Sequence, residues 1–163
     1  MFMSSKEADF FLSKLKLNDD VLEWGSGSST KEISKRVNSV LSIEHDLGWF
    51  NKVKETLPDN CKLVHIPTKY EHNHLIHGDG IYDNFEDYVN YPISENNKYD
   101  VIFIDGRCRV ECTSICNKIS NPNTLVFVHD FMEYRIKNLN YGKMYDYLEK
   151  IESVETMCMF KVK

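Results

Sequence analysis

The ten residues from 21 to 30 constrain the fold of this chain more than any other segment. An apolar run leads into Glu23-Trp24-Gly25-Ser26-Gly27, and a helical pattern of apolar residues follows. This order predicts a strand that turns tightly into a helix, because glycine adopts the backbone conformations that such turns require. The free N–H groups at the start of that helix would face the turn. The turn is therefore a candidate ligand-binding loop.

A second acid, Glu44, ends the next apolar run at residues 39–43. An acid at this position can accept hydrogen bonds from both hydroxyls of a ribose, so the two segments together predict a nucleotide-type cofactor site. A dinucleotide-binding loop would follow the pattern Gly-x-Gly-x-x-Gly, but Thr30 stands where the third glycine belongs. The missing glycine disfavours NAD(P) as the cofactor.

The segment Glu23-x-Gly25-x-Gly27-x-Ser29 resembles the first motif of class I S-adenosylmethionine-dependent methyltransferases. Ser29 stands where that family often has a third glycine, and the resemblance extends over residues 18 to 162. It implies that the loop wraps the methionine and ribose of S-adenosylmethionine, and that His45 lies against the adenine. The cofactor-binding residues that it implies are Glu23, Gly25, Ser26, Gly27, Ser28, Ser29, Thr30, Glu44 and His45.

Strands and helices are predicted to alternate along the whole chain. This alternation predicts one α/β domain over residues 1–163, a three-layer, doubly wound, mostly parallel sheet. The predicted strands cover residues 21–24, 40–44, 62–66, 99–105 and 124–129, with a strand-like tail over 154–162. An N-terminal helix is expected within residues 1–17, a substrate-side loop over 67–98, and a helix over 142–151. The resemblance implies a Rossmann-like methyltransferase fold that closes with short C-terminal strands.

Composition narrows the class of protein further. The chain has 163 residues, 42 % of them hydrophobic, which suffices for one domain with a substantial core. Cys108, Cys112 and Cys116 are four residues apart, and no cysteine pair with zinc-like spacing follows, so buried free thiols are favoured. The net charge of −5 disfavours nucleic-acid binding. No apolar run has membrane length and no signal-peptide pattern is present, so we expect a cytoplasmic protein without a membrane partner.

Acids recur where the predicted strands end. Glu23, Glu44, Asp105 and Asp130 would meet at one edge of a parallel sheet, where ligands bind. Buried charges are costly unless they are used, so the clustering indicates function. DNA and protein amino-methyltransferases usually carry Asn/Asp-Pro-Pro-aromatic after the fourth strand. Asp105-Gly106-Arg107 lacks this motif and looks more like small-molecule O-methyltransferases, including those that act on sugars.

The sequence is compatible with a divalent metal ion but does not assign ligands to one. In metal-dependent O-methyltransferases, an acid at each of these two strand ends helps to bind the ion, and an asparagine follows the second. Asp105 and Asp130 match the acids, whereas Phe131 replaces the asparagine. The loop residues His72, His74, His77 and Asp79 are also capable of binding metal. Their segment lacks a regular period that would make them converge, so a solvated or substrate-covering loop is favoured.

The candidate catalytic residues are Asp105, His129 and Asp130. Methyl transfer to oxygen requires removal of the hydroxyl proton, a role that suits His129, with Asp130 orienting it or taking the proton itself. Asp105 is a rival that would hold the cofactor's amino group, the acceptor hydroxyl or a metal.

Three of the four arginines, Arg107, Arg109 and Arg135, follow the fourth and fifth strands. Guanidinium groups bind carboxylate or phosphate in a bidentate manner, which indicates an anionic acceptor such as a uronic acid or a nucleotide sugar. Arg109 and Arg135 are equally compatible with ordinary surface positions. The leading hypothesis is O-methylation of a small-molecule or sugar hydroxyl. The alternative is a degenerate methyltransferase fold that binds S-adenosylmethionine or a partner without catalysis.

Overall fold

A seven-stranded sheet organises the computed structural model, which describes residues 3–70 and 78–163. Along the sheet the strands follow the order β3-β2-β1-β4-β5-β7-β6, and only β7 runs antiparallel to its neighbours. The strands are β1 (Asp20–Trp24), β2 (Ser39–Glu44), β3 (Cys61–His65), β4 (Tyr99–Ile104), β5 (Ser120–Val128), β6 (Leu148–Val154) and β7 (Met157–Val162). The predicted doubly wound, mostly parallel α/β fold is confirmed.

Helices connect the parallel strands and cover both faces of the sheet. They are α1 (Ser5–Leu12), α2 (Ser28–Ser34), α3 (Leu47–Lys54), α4 (Tyr82–Ser94), α5 (Arg109–Ser114), α6 (Cys116–Ile119), α7 (Glu133–Asn138) and a 3₁₀ helix over Tyr141–Asp146. Within the described ranges, no helix has the length and apolar character that crossing a bilayer requires.

Two hydrophobic cores lie on opposite faces of the sheet, and β4 contributes to both. Val101 and Phe103 point to the core that contains α1 and α2, whereas Ile102 and Ile104 point to the core that contains α4, α5 and α6. Successive side chains of a strand point to opposite faces, so a central strand needs apolar residues at every position. This explains the unbroken apolar run in the sequence. The cysteines of α5 and α6 are buried free thiols in the second core, as predicted.

Helix α1, expected within residues 1–17, begins with a capping box. The Ser4 hydroxyl accepts from the Glu7 amide at 3.2 Å, and the Glu7 carboxylate accepts from the Ser4 amide at 2.9 Å. Phe11 stacks on Phe103 of β4 with ring centroids 4.6 Å apart, which fixes the helix against the sheet. Glu7 thereby reaches the sheet edge where the acids lie.

Two predictions about local structure were wrong. Part of the segment assigned to a loop over 67–98 forms α4, whose buried face includes Phe85, Tyr88 and Pro92. The segment assigned to a helix over 142–151 instead holds part of the 3₁₀ helix and part of β6. The apolar residues of that segment have helical spacing, but pairing with β7 supplies the backbone hydrogen bonds of a strand.

Candidate functional site

A cavity of about 660 Å³ opens at the carboxyl ends of β1, β2, β4 and β5. This is the edge where parallel α/β sheets bind ligands, and the volume lies within the range of small-molecule sites. The predicted residues that line it are Gly25, Ser26, Gly27, Ser28, Ser29, Glu44, His45, Asp105, Arg107, Arg109, His129, Asp130 and Arg135. Met3, Asp46, Trp49 and Gly106 complete the wall. Most of the predicted site residues, which come from residues 25–45 and 105–135, therefore line one cavity.

Glu23 and Thr30, which were predicted to bind the cofactor, are buried beneath the cavity instead of lining it. Glu23 is fully buried, and its carboxylate accepts hydrogen bonds from Ser29, Thr30 and Ser42 at 2.6–2.7 Å. Burial raises the pKa of Glu23 from 4.5 to about 7, against the opposing effect of these hydroxyls. Glu23 therefore stabilises the start of α2 from below.

The raised pKa of Glu23 predicts a pH-dependent stability. Since the folded carboxyl binds its proton more tightly than the unfolded one, the free energy of unfolding should fall as pH rises from 4.5 to about 7. The Glu23 contribution to this fall should be about 3 kcal/mol. Urea unfolding at about pH 5 and about pH 8 measures it, with Glu23→Gln as the matched variant that cannot ionise. An equal pH dependence in both proteins would contradict the assignment.

Glu44 holds two turns together at the cavity wall. One carboxylate oxygen accepts from the amides of His45 and Asp46 at 2.8 Å, and the other accepts from the amide and hydroxyl of Ser26 at 3.0 and 3.1 Å. Burial would raise the pKa of Glu44, but these hydrogen bonds and the nearby His45 lower it. A ribose hydroxyl would share this carboxylate with Ser26. The predicted ribose contact remains a prediction.

Gly25 allows the turns after β1 and β4 to approach each other closely. Its φ is +93°, and an added Cβ would lie 2.7 Å from the Cα and N of Gly106. Gly27 differs, because its φ of −177° is ordinary extended backbone and an added Cβ would meet only Trp49 and Ser29 at 3.7–3.8 Å. The Trp49 indole donates to the Ser26 carbonyl and closes the loop from above. The helical spacing of Trp49 in the sequence suits core packing equally well, so the sequence alone does not predict this contact with the loop.

His129, one of the predicted general bases, lines the cavity and is held between two carboxylates. Its Nδ1 donates to Asp105 at 2.8 Å, and its Nε2 lies 3.5 Å from the carboxylate of Glu7. Burial would lower the pKa of His129, but the hydrogen bond to Asp105 and the charges of Asp105 and Asp130 raise it. Both ring nitrogens are directed at protein carboxylates, so the imidazole is poorly placed to take a proton from a ligand.

Glu7 is a site residue that the sequence did not reveal. Its place in the capping box is typical of a helix start, and nothing in the local sequence indicates contact with the end of β5. Burial would raise the pKa of Glu7, but hydrogen bonds from Thr156 and Ser4 lower it to about 2. Its charge is therefore present throughout the neutral range and faces His129.

Arg109, which was predicted to bind the substrate, lines the cavity as a buried part of the site's framework. Only 6 % of the residue is exposed. Its guanidinium donates to the carbonyls of Gly106, Asp105 and His129, and these bonds tie the turn after β4 to the end of β5. It also forms ion pairs with three carboxylates at 3.2–3.8 Å. Few donors are left to recognise a substrate.

The other two arginines lie at the cavity rim. Arg135 contacts Asp130 at 3.3 Å and donates to the Tyr141 hydroxyl at 3.0 Å. Arg107 is partly exposed and donates to the Gly78 carbonyl. Both remain candidates for substrate contact.

A second cavity of about 730 Å³ adjoins the first and shares Arg135 with it. It lies between the segment before α4 and helices α5 and α7. Its walls combine apolar side chains, such as Val110 and Leu139, with the acids Asp79 and Glu111. Of the four residues considered for a loop metal site, Asp79 is placed next to Arg109, and His72, His74 and His77 lie outside the described residues.

No protein-family model and no curated protein matches the chain. Solved structures do match it. A methyltransferase-like protein from Silicibacter pomeroyi DSS-3 is 19 % identical, with all of this chain and 88 % of that chain covered and a TM-score of 0.69. The N-methyltransferase NodS from Bradyrhizobium japonicum WM9, solved with S-adenosyl-L-homocysteine, is 8 % identical over 97 % of this chain and 84 % of that chain, with a TM-score of 0.64.

These likenesses establish that the chain has the class I fold of S-adenosylmethionine-dependent methyltransferases. At such low identity they establish the fold alone. A structure described as a precorrin 8w decarboxylase, from Methanobacterium thermoautotrophicum, is also similar, at 14 % identity, a TM-score of 0.63, and coverage of 100 % of this chain and 88 % of that one. The reaction therefore has to be argued from the site.

Proposed function

We propose that this protein is an S-adenosylmethionine-dependent methyltransferase that methylates a hydroxyl group of a small molecule or sugar. The observation that carries the proposal is the cavity of about 660 Å³, in which the glycine turn after β1, the acid after β2 and the acids after β4 and β5 converge. The structure of NodS with S-adenosyl-L-homocysteine shares this fold and supports the choice of cofactor.

The cofactor would occupy the part of the cavity between the β1 turn and the end of β2. Gly25 and Gly27 leave its floor without side chains, and Glu44 offers its carboxylate at the position suited to the ribose. The His45 ring packs near Phe85 with centroids 5.2 Å apart, and from there it would contact the adenine. The sulfonium methyl would then point toward Asp105 and Asp130.

The acceptor would enter through the second cavity, which meets the first at Arg135. Its volume suits a small molecule and not a macromolecule. Because Arg109 and Arg135 are already ion-paired with the three carboxylates of Asp79, Asp105 and Asp130, their charges are largely neutralised. We therefore favour a neutral hydroxylated acceptor over the anionic acceptor that the arginines first indicated.

Asp130 is the base in this proposal. It lies two residues after the end of β5 and lines the cavity, and its side chain is 28 % exposed, compared with 7 % for that of His129. Its carboxylate would accept the acceptor's hydroxyl proton as the oxygen attacks the methyl carbon. S-adenosylmethionine, held by the β1 turn and Glu44, would supply the methyl group and would leave as the neutral thioether S-adenosylhomocysteine. Asp105 is engaged with His129 and would hold this edge in shape.

Calorimetric titration with S-adenosylhomocysteine tests the cofactor site. We expect saturable binding by the wild type and a Kd raised about tenfold or more in Gly27→Val, equivalent to about 1.4 kcal/mol, because the side chain would intrude on the cavity. Gly142→Ala is the matched control, since an added Cβ there meets only Ile136 at 3.8 Å. Absence of binding at millimolar ligand would contradict the proposal.

Transfer of labelled methyl from S-adenosylmethionine to a panel of sugars, phenols and other small alcohols tests the reaction. A labelled product that is stable to base would support a methyl ether, because base hydrolyses methyl esters. Methylation of amines alone in a parallel panel would contradict O-methylation. Binding of S-adenosylhomocysteine without transfer to any acceptor would contradict the enzymatic part of the proposal.

A further inference from the structure

The ends of β4 and β5 bring three potential metal ligands together. One ligand atom each from Asp105, His129 and Asp130 lies within 4.8 Å of the others. The two acids, Asp105 and Asp130, match the positions that hold a divalent ion in metal-dependent O-methyltransferases. Whether an ion fits depends on which charges already surround these side chains.

A guanidinium already lies against these carboxylates. Arg109 Nη2 lies 3.2 Å from Asp130 and 3.5 Å from Asp105, and its Nε lies 3.8 Å from Asp79. Its side chain is only 7 % exposed, so bulk water screens these ion pairs weakly. A divalent ion between Asp105 and Asp130 would face this fixed positive charge at close range.

The third potential ligand, His129, already contacts protein carboxylates through both ring nitrogens. His129 donates its Nδ1 hydrogen to Asp105, so that nitrogen has no lone pair to offer a metal. Its Nε2 faces Glu7 on the side of α1. Arg135 adds a second guanidinium 3.3 Å from Asp130. The residues therefore do not fit a divalent ion in this arrangement.

The backbone fixes Arg109 in this position. Cys108 adopts a left-handed conformation with φ of +51°, which ends the turn after β4 and starts α5 at Arg109. The Arg109 amide donates to the Asp79 carboxylate at 3.0 Å, and its side chain donates to the Gly106 carbonyl at 3.0 Å. The guanidinium is thus held at both ends instead of swinging into solvent.

We propose that the Arg109 guanidinium takes the place of a divalent ion at this edge, so that the site is assembled and works without metal. Its delocalised, permanent charge neutralises Asp105 and Asp130, and its planar fork cross-links the two strand ends as a metal would. Only the catalytic consequence, metal-independent methyl transfer, rests on the proposed function. The structural part stands on the Arg109 contacts alone.

Titration of the wild type with Mn²⁺, followed by calorimetry and by the electron paramagnetic resonance of free Mn²⁺, tests the exclusion of metal. We expect no saturable binding at millimolar Mn²⁺, and no change in Tm or in S-adenosylhomocysteine affinity on addition of EDTA. Saturable Mn²⁺ binding that Asp130→Asn abolishes would overturn the proposal. This measurement needs no acceptor and no turnover.

Arg109→Met tests the role of the charge, since methionine keeps an unbranched side chain in the same space. We expect the variant to have a lower Tm than the wild type, to gain Mn²⁺ binding and to recover part of that Tm when Mn²⁺ is added. Arg36→Met is the control, because Arg36 pairs only with Glu32 on the surface of α2 among the described contacts and should show neither effect.

A folded Arg109→Met that gains no Mn²⁺ affinity would overturn the assignment. If that variant does not fold, the Mn²⁺ titration of the wild type decides: absence of binding supports the proposal, and saturable binding overturns it. Failure of the proposed function would look different, because a wild type that binds neither S-adenosylhomocysteine nor Mn²⁺ contradicts the methyltransferase and leaves the Arg109 proposal intact.

Discussion

Asp130→Asn is expected to lower methyl transfer by about 10²–10⁴-fold while S-adenosylhomocysteine affinity changes by less than about twofold. The amide keeps the shape of the side chain but cannot take a proton. The substitution suits the backbone, because Asp130 has φ of +55° and asparagine tolerates this left-handed conformation. The proposed cofactor contacts lie on β1 and β2, away from the substitution.

Two further variants separate the base from its neighbours. Asp105→Asn removes the carboxylate that holds His129, so we expect both the transfer rate and the Tm to fall. Asp146→Asn changes an exposed acid that lines neither cavity, so it should alter neither the transfer rate nor the Tm. Transfer rates are compared under saturating S-adenosylmethionine with the best acceptor from the panel. Full activity in Asp130→Asn would remove Asp130 as the base.

Gly25→Ala is expected to reduce the free energy of unfolding by about 2–5 kcal/mol, since it combines a left-handed backbone strain with a clash. The added methyl would lie 2.7 Å from the backbone of Gly106, so the turns after β1 and β4 would have to separate. For a chain of this size the Tm should fall by about 5–20 °C. The main loss is of the fold, and any loss of ligand affinity follows from it.

Gly27→Ala provides the comparison for this prediction. Gly27 has extended backbone and caps α2, so alanine should cost no more than about 1 kcal/mol. Thermal unfolding of both variants, followed by circular dichroism, measures the difference. Equal losses of stability in the two variants would contradict the close approach of Gly25 and Gly106.

The fold could be predicted where apolar periodicity and turn residues agreed. Strand β4 carries an unbroken apolar run over residues 101–104, and the apolar run of β1 is interrupted only by Glu23. Turn signals bound both strands, and the predicted bounds agree with the structure within one residue at each end. Helix α4 was missed because its buried face contains Asn84 and Pro92 beside its aromatic residues. Edge strand β6 is exposed at most positions, so it shows no alternation, and its few apolar residues fall at helical spacing.

The site could be predicted as a set of acids at one sheet edge, but the contacts among them could not. Parallel strands place Glu44, Asp105 and Asp130 together by topology alone. Whether Arg109 turns inward to these acids or outward to solvent depends on the turn after β4. The contact between Glu7 and His129 joins residues at opposite ends of the chain, and only the packing of α1 on the sheet creates it.

Titration of ¹⁵N-labelled protein with S-adenosylhomocysteine, followed by two-dimensional amide NMR spectra, tests the central claim most directly. We expect saturable shifts at the amides of residues 25–29, 44–46 and 105–107, with the amides of β6 unchanged as an internal reference. Unchanged spectra at millimolar ligand, or shifts that concentrate away from the carboxyl ends of β1, β2 and β4, would contradict a cofactor site in this cavity.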